Sequence, residues 1–540
     1  MRKRLLALSV AAAMCFSAAP ASVCSADDNA AAADGDINDD GKISISDVML
    51  LQRWLIGFRY TNIVNWQKAD LCWDGKLDAY DLAAMKKLLV ENTVEEELIT
   101  PPVSILSPSL PSTGTNRILV FAVDFPDYKF ERRDPAADLK DMCFGPEVLY
   151  NGDYPLESVF AYFERSSYGR MHLTGDVFNY SAEYSIDHYE EENGKALLEE
   201  VLAAYDEQLD YNDYDVNGDK VIDSVAIVVP SRVAEIDRDD DGIPDWWPYS
   251  VPYYGYGVYD GLKAGTYCVN ISSFGDRPGF NNRLAHELCH AMGLPDYYRY
   301  TPDDLYGTDG MTGSAGCELM DEGYGDLSAF SKLMLGWFKE DEIQIYTGEE
   351  TSFDISPMQH KPSCLIIPRD KDKGFLSEFF LIEYLTGDLN NYAYFVNGRG
   401  NQIFARDGGV RILHCNAEVS EGQNGPEFRY DICSDNYDRS DNKQRVLRLV
   451  NDYRFISGYN EGNKFFNDGV DTFHWYDEEG GLTESTGLSL AVYGPRPREG
   501  YEIDPWDFSS ASAAAATAYW EDPDFLENSV YNIQITKTAV

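Results

Sequence analysis

The segment LAHELCHAMGLPDYY, residues 284–298, constrains this chain more than any other stretch, because its chemistry requires a helix. His286 and His290 are four apart, so a helix sets both imidazoles on one face, within reach of a single ion. Glu287 lies beside them, placed to meet a water rather than the ion. Gly293 can adopt the backbone conformation that turns a chain sharply, and that turn would return Asp296 as a third ligand. Two imidazoles, one carboxylate and an open fourth position are the donor set of a catalytic zinc rather than a structural one. The expected chemistry is hydrolysis, with zinc lowering the pKa of water to about 7 and Glu287 taking the proton.

HELCHAMGLPDYY is similar to the HExxHxxGxPDxY signature of the immune inhibitor A family of bacterial metallopeptidases, and the resemblance runs over about residues 117–500. RILVFAVDFPD resembles that family's first strand, SVFAYFERSSYGRMHLTGDV its next helix and strand, and CELMDEG with LSAFSKLMLGW its methionine turn and following helix. EFFLIEY and GVRILHCNAE resemble its downstream β-domain. The resemblance implies a metzincin-like α/β zinc protease fold with His286, His290 and Asp296 as ligands, Glu287 as base and Met320 packed beneath the metal. Tyr249 stands where the family has a histidine in its Trp-Pro-His segment. Tyr324 lies four residues after Met320 rather than two, off the position of an assisting tyrosine.

A repeat precedes this region. DINDDGKISISD at 36–47 returns 34 residues later as DLCWDGKLDAYD at 70–81, each followed by an apolar-periodic helix. Asp36, Asn38, Asp40, the Lys42 carbonyl, Ser44 and Asp47 hold the oxygen-only spacing of a calcium loop, with Gly41 at its turn. The second loop offers Asp70, Asp74, the Lys76 carbonyl, Asp78 and Asp81, with Cys72, a poor calcium ligand, at the third position. Paired loops lacking entering helices resemble a dockerin, the module that binds cohesin domains of cellulosome-type scaffolds. That resemblance assigns partner choice to Ile45–Ser46 and Ala79–Tyr80, which differ between the repeats. Two further acidic loops lie downstream: Asp237, Asp239, Asp241, Ile243 (by its carbonyl) and Asp245, and Asp215, Asn217, Asp219, Val221 (by its carbonyl) and Asp223, with Lys220 in place of the turn glycine. Both are expected to bind calcium and stiffen long loops, since clustered carboxylates otherwise repel.

Charge narrows the partners. A net charge of −48 excludes nucleic acid and anionic membrane surfaces as partners, because both demand lysine and arginine. MRKR followed by LLALSVAAAMCFSAA and small residues to Ala26 reads as a secretory signal peptide, shorter than a membrane span, and makes the protein extracellular. The expected order is signal peptide (1–26), dockerin (34–92), Pro/Ser/Thr linker (93–116), zinc metalloprotease domain (117–340) and β-sandwich-like domain (341–540). The fold class is multidomain α+β. No GxSxG elbow supports serine chemistry. The expected function is therefore that of a secreted zinc endopeptidase acting on protein or peptide and docked on a scaffold. Its alternatives are an inactive protease-like adhesion or scaffold component and a carbohydrate-active enzyme of the same assembly.

Overall fold

A computed structural model describes residues 35–38, 43, 45–57, 63, 66–72, 75–92, 98–99, 108–149, 152–190, 194–238, 244–297, 318–321, 323, 325–349, 351–392, 409–416, 419–421, 426–428, 446–450, 474–476, 482–493 and 529–537. The chain divides into two compact units, one up to Glu96 and the other from Glu97.

In the first unit, α1 (Ile45–Leu55), the short α2 (Trp66–Ala69) and α3 (Ala79–Asn92) follow the acidic repeats. Ile37, Val48, Leu51, Ile63, Ala69 and Met85 form its core. So small a core is marginal by itself.

The second unit is built on a five-stranded sheet of β1 (Gly114–Asp124), β2 (Met171–Ser181), β3 (Val221–Val229), β4 (Tyr249–Pro252) and β5 (Lys263–Ile271), ordered β2-β1-β3-β5-β4. Its first four members run parallel, while β4 pairs antiparallel to β5 at the edge. Alternation along β1 explains its nearly unbroken apolar sequence. Ile118, Val120 and Ala122 enter one core with α4 (Pro135–Phe144), α5 (Val159–Ser166) and α7 (Arg277–Ala291). Leu119, Phe121 and Val123 enter the opposite core with α6 (Lys195–Tyr205). A strand covered on both faces has no polar side to show.

Beyond α7 comes α8 (Ala329–Met334), then a second sheet of β6 (Ile343–Ile345), β8 (Cys364–Pro368), β9 (Phe379–Leu385), β10 (Gly409–Cys415) and β13 (Leu447–Leu449). Phe379, Leu381 and Leu413 on one face join the core of α7 and α8. Phe380, Ile382 and Ile412 on the other share a core with β7 (Ser352–Ile355), β16 (Leu488–Tyr493) and β17 (Tyr531–Lys537), which form a three-stranded sheet. The pairs β11 (Val419–Glu421) with β12 (Pro426–Phe428) and β14 (His474–Tyr476) with β15 (Leu482–Ser485) are short ribbons.

Side chains from both sides of residue 340 share one apolar cluster. The stretch expected as a linker is packed at both of its described parts. Leu98 bridges to Lys339, and the Ile99 amide bonds the Phe338 carbonyl. Leu110 is fully buried, and the Ser112 carbonyl accepts the Trp337 indole N–H at 2.6 Å. One leucine and a few backbone groups suffice to seat this proline- and serine-containing stretch. Among the described residues no helix is long and apolar enough to cross a membrane.

Candidate metal centre

The helix α7 begins at Asp276, whose side chain accepts from the Gly279 amide at 3.2 Å, and carries proline in its first turn. These features suit a helix start, where backbone N–H groups lack partners. The chain leaves the helix at Gly293, where φ is +98°, a conformation that side-chain-bearing residues rarely adopt. There the Leu294 amide reaches back to the Cys289 carbonyl at 3.0 Å. Two residues further on, Asp296 is turned beneath the helix.

The result is a convergence of three donors. Asp296 Oδ1 lies 2.9 Å from His286 Nε2 and 3.3 Å from His290 Nε2, and the imidazole rings stand perpendicular, 4.8 Å apart. Among the described residues this is the one group of three ligand-type side chains whose donor atoms fall within 4.8 Å of one another. Two atoms each about 2.1 Å from one tetrahedral zinc lie about 3.4 Å apart, so the spacing fits such an ion.

The outer shell settles the tautomers. His286 Nδ1 donates to the Leu319 carbonyl at 3.0 Å and His290 Nδ1 donates to the Leu294 carbonyl at 2.7 Å. A carbonyl can only accept, so each Nδ1 carries the proton and each neutral ring turns a bare Nε2 inward. Without a cation these nitrogens must be protonated to face the carboxylate. Burial opposes a charged His290, but the facing Asp296 carboxylate outweighs it and raises the pKa to about 9. Asp296 moves the other way: burial would raise it, but the two imidazoles hold it well below the usual carboxylate range. The pocket is a strong sink for positive charge. Glu287 is 5% exposed, and burial pushes its carboxyl up despite the neighbouring histidines.

A single 3₁₀ turn at Leu319–Asp321 closes the floor. It presents the Leu319 carbonyl to His286, and its Met320 carbonyl accepts the Tyr297 amide at 2.8 Å, so both sides of the ligand set rest on it. Met320 is fully buried in the core shared by α7 and α8. The turn is held by Glu318, which accepts from the Ser328 amide at 2.6 Å and from the Ser331 hydroxyl at 2.8 Å. Asn282 donates to the Gly323 carbonyl at 3.2 Å. A Cβ on Gly323 would stand 2.1 Å from the Glu318 carbonyl oxygen, which is backbone and cannot swing aside. Gly323→Ala is therefore expected to cost about 2 kcal/mol or more of stability and to loosen the three-donor group. Thermal unfolding with metal analysis would show it.

Sequence alone missed these supports. Leu294 and Leu319 act through carbonyls, which no side-chain pattern reveals, and Glu318 is one acidic residue among 92. Tyr324 lies outside the described residues. Tyr249 sits at the start of β4, its phenol pushed up by burial. Of the aromatic run, Trp246 is buried whereas Trp247, Tyr254 and Tyr256 face solvent.

The acidic loops are described in part. Asp47 Oδ1 accepts from the amides of Ile37 and Asn38, at 2.9 and 3.2 Å, and Asp36 lies 3.3 Å from Lys68 Nζ. In the second repeat Asp81 accepts from Cys72 and Asp78, Asp70 from Gly75, and Asp78 from Tyr80. Lys76 and Ala79 are exposed, as is Tyr80 at 76%, while Ile45 and Ser46 open α1. Asp40, Lys42, Ser44 and Asp74 lie outside the described residues, as do Asp239, Asp241 and Ile243. Asp245 is paired with Arg238, which also reaches Asp187. Asp237 is described, and the loop from Asp215 to Asp223 is described throughout.

Residues 34–90 match the dockerin type I domain, and a dockerin accordingly forms the N-terminal unit. No curated protein matches the chain. Among solved structures, wild-type OgpA from Akkermansia muciniphila is 15% identical over 52% of this chain and 75% of that one, with a TM-score of 0.25. Catalytically inactive OgpA from the same organism, in complex with an O-glycopeptide substrate (glycodrosocin), is 13% identical over 53% and 75%, with a TM-score of 0.23. Likeness this slight has no bearing on the site.

Proposed function

We propose that the larger unit is a zinc-dependent endopeptidase of the immune inhibitor A type, metzincin-like in its protease part, and that its dockerin, with calcium in both loops, anchors it to a cohesin-bearing scaffold outside the cell. The observation that carries the hydrolytic reading is the meeting of His286 Nε2, His290 Nε2 and Asp296 Oδ1 with Glu287 buried on the adjoining helical position.

Zinc, when bound, supplies a Lewis acid that polarises the scissile carbonyl and acidifies water. The chain's residues do the rest. His286, His290 and Asp296 hold the ion, and the carbonyls of Leu319 and Leu294 keep both rings aimed. Glu287 takes the proton of the attacking water on its carboxylate and hands it to the leaving amine nitrogen. Its burial supports that role, because a carboxyl raised from its ordinary range accepts and returns a proton more evenly. Ile45, Ser46, Ala79 and Tyr80 would meet the cohesin, the exposure of Tyr80 being the structural support.

Zinc-loaded full-length chain should cleave casein or a peptide library. Removing the metal with phenanthroline should abolish cleavage, and added zinc should restore it. Persistence of full cleavage without metal would rule the reading out. Folded, zinc-loaded protein that cleaves nothing would favour the scaffold-component alternative.

A further inference from the structure

The loop between Tyr214 and β3 takes no part in the function proposed above. It carries Asp215, Asn217 and Asp219 on its exposed side and ends on Asp223, the third residue of the central strand β3. Acidic surface loops are common without ions, and the hydrogen bonds inside this one do not distinguish it. Asp223 does. Its side chain is fully buried, 0% exposed. One carboxylate oxygen, Oδ2, reaches across the loop to accept from the Val216 amide at 3.1 Å, which aims the group into the loop. Among the described residues nothing donates to the other oxygen, Oδ1.

A buried carboxylate oxygen without a donor costs about 1–3 kcal/mol or more. An ion pair would offset that cost, but among the described residues no lysine or arginine is paired with Asp223. The charges it does face, Asp219 and Asp215, have its own sign, and burial together with them pushes its carboxyl up to about 7. A cation bound by oxygen alone removes both problems. The carboxylates at the first, fifth and ninth loop positions, with the asparagine amide oxygen at the third, offer only hard donors, which suit calcium and not zinc. Lys220, standing where calcium loops turn on glycine, takes the left-handed conformation itself, with φ +74°.

We infer that residues 215–223 bind a structural calcium ion through Asp215, Asn217, Asp219 and the unpartnered oxygen of buried Asp223. The ion lies at one end of a backbone chain that reaches the metal-binding helix. The Asp223 carbonyl accepts the Ser109 hydroxyl at 2.7 Å, and that hydroxyl oxygen accepts from the Thr266 amide at 2.8 Å. The amides of Ser109 and Leu110 both bond the carbonyl of Ala291, the residue after His290. Calcium at the loop therefore fixes the edge from which α7 hangs.

The test uses the full chain, stripped of divalent ions and then given calcium alone, and is read by hydrogen exchange of peptides. The peptide over 211–229 should exchange about ten-fold more slowly with calcium, and the dockerin peptides should slow as well. In Asp223→Asn the 211–229 response should vanish while the dockerin response remains, and equilibrium dialysis should find one calcium fewer per chain. Should Asp223→Asn fail to fold, Asp219→Asn, altered at an exposed side chain, should weaken the same response. Equal exchange of 211–229 with and without calcium, alongside responsive dockerin peptides, overturns the inference and leaves Asp223 as a carboxyl held protonated. So would a response unchanged in both variants.

Discussion

Glu287→Gln should keep one zinc per chain and the native unfolding transition while losing about a thousand-fold or more in kcat. The substitution preserves shape and touches none of the three side chains that converge on the metal position. What it removes is a proton acceptor. Glu287 is buried and its carboxyl is raised by that burial, so an amide there would keep the contacts but could not carry the proton from water to the leaving nitrogen. Zinc analysis beside steady-state cleavage of one peptide separates the two roles. Turnover within ten-fold of wild type would remove Glu287 from the reaction, whereas lost zinc would make it a structural support.

The largest stability effect is expected some distance from the chemistry, at Glu383→Ala. Glu383 on β9 is fully buried, and it is bonded to Arg411 of β10, itself 1% exposed, while its second oxygen accepts the Ala329 amide at 2.8 Å. Removing it takes a carboxylate from a buried guanidinium and an acceptor from the first turn of α8. The expected cost is about 3–5 kcal/mol, because breaking one partner of a buried pair costs far more than the pair contributes. Urea unfolding measures it. The double variant Glu383→Ala, Arg411→Met should recover much of the loss, since it also removes the buried positive charge. A single-variant cost under about 1 kcal/mol would mean that water reaches Arg411 after all.

Local chemistry was the legible part of this sequence. Residues 284–296 prescribe a helix, a left-handed glycine and a returning carboxylate, and each is a property of adjacent residues that the backbone then adopts. The repeats at 36–47 and 70–81 announced a dockerin for the same reason: spacing within twelve residues encodes the loop. Long-range matters were less legible. That Leu110 is interior depends on α7 standing 180 residues away, and nothing in a proline-rich stretch distinguishes a seated leucine from a tethered one. The apolar cluster shared across residue 340 was illegible for a related reason. Alternation along β9 shows that both faces are covered, but not that one of them is covered by α8. Backbone acceptors such as Leu319 are silent in any reading of side chains.

The turn at 319–321 has one more implication. Since the Tyr297 amide and the Met320 carbonyl are bonded to each other, the stretch that carries His286, His290 and Asp296 is tied through main-chain atoms to the turn that receives His286. Side-chain substitution at either end leaves that tie in place, because only backbone groups make it. Sequence can therefore drift at both positions while the spacing of the three donors is kept.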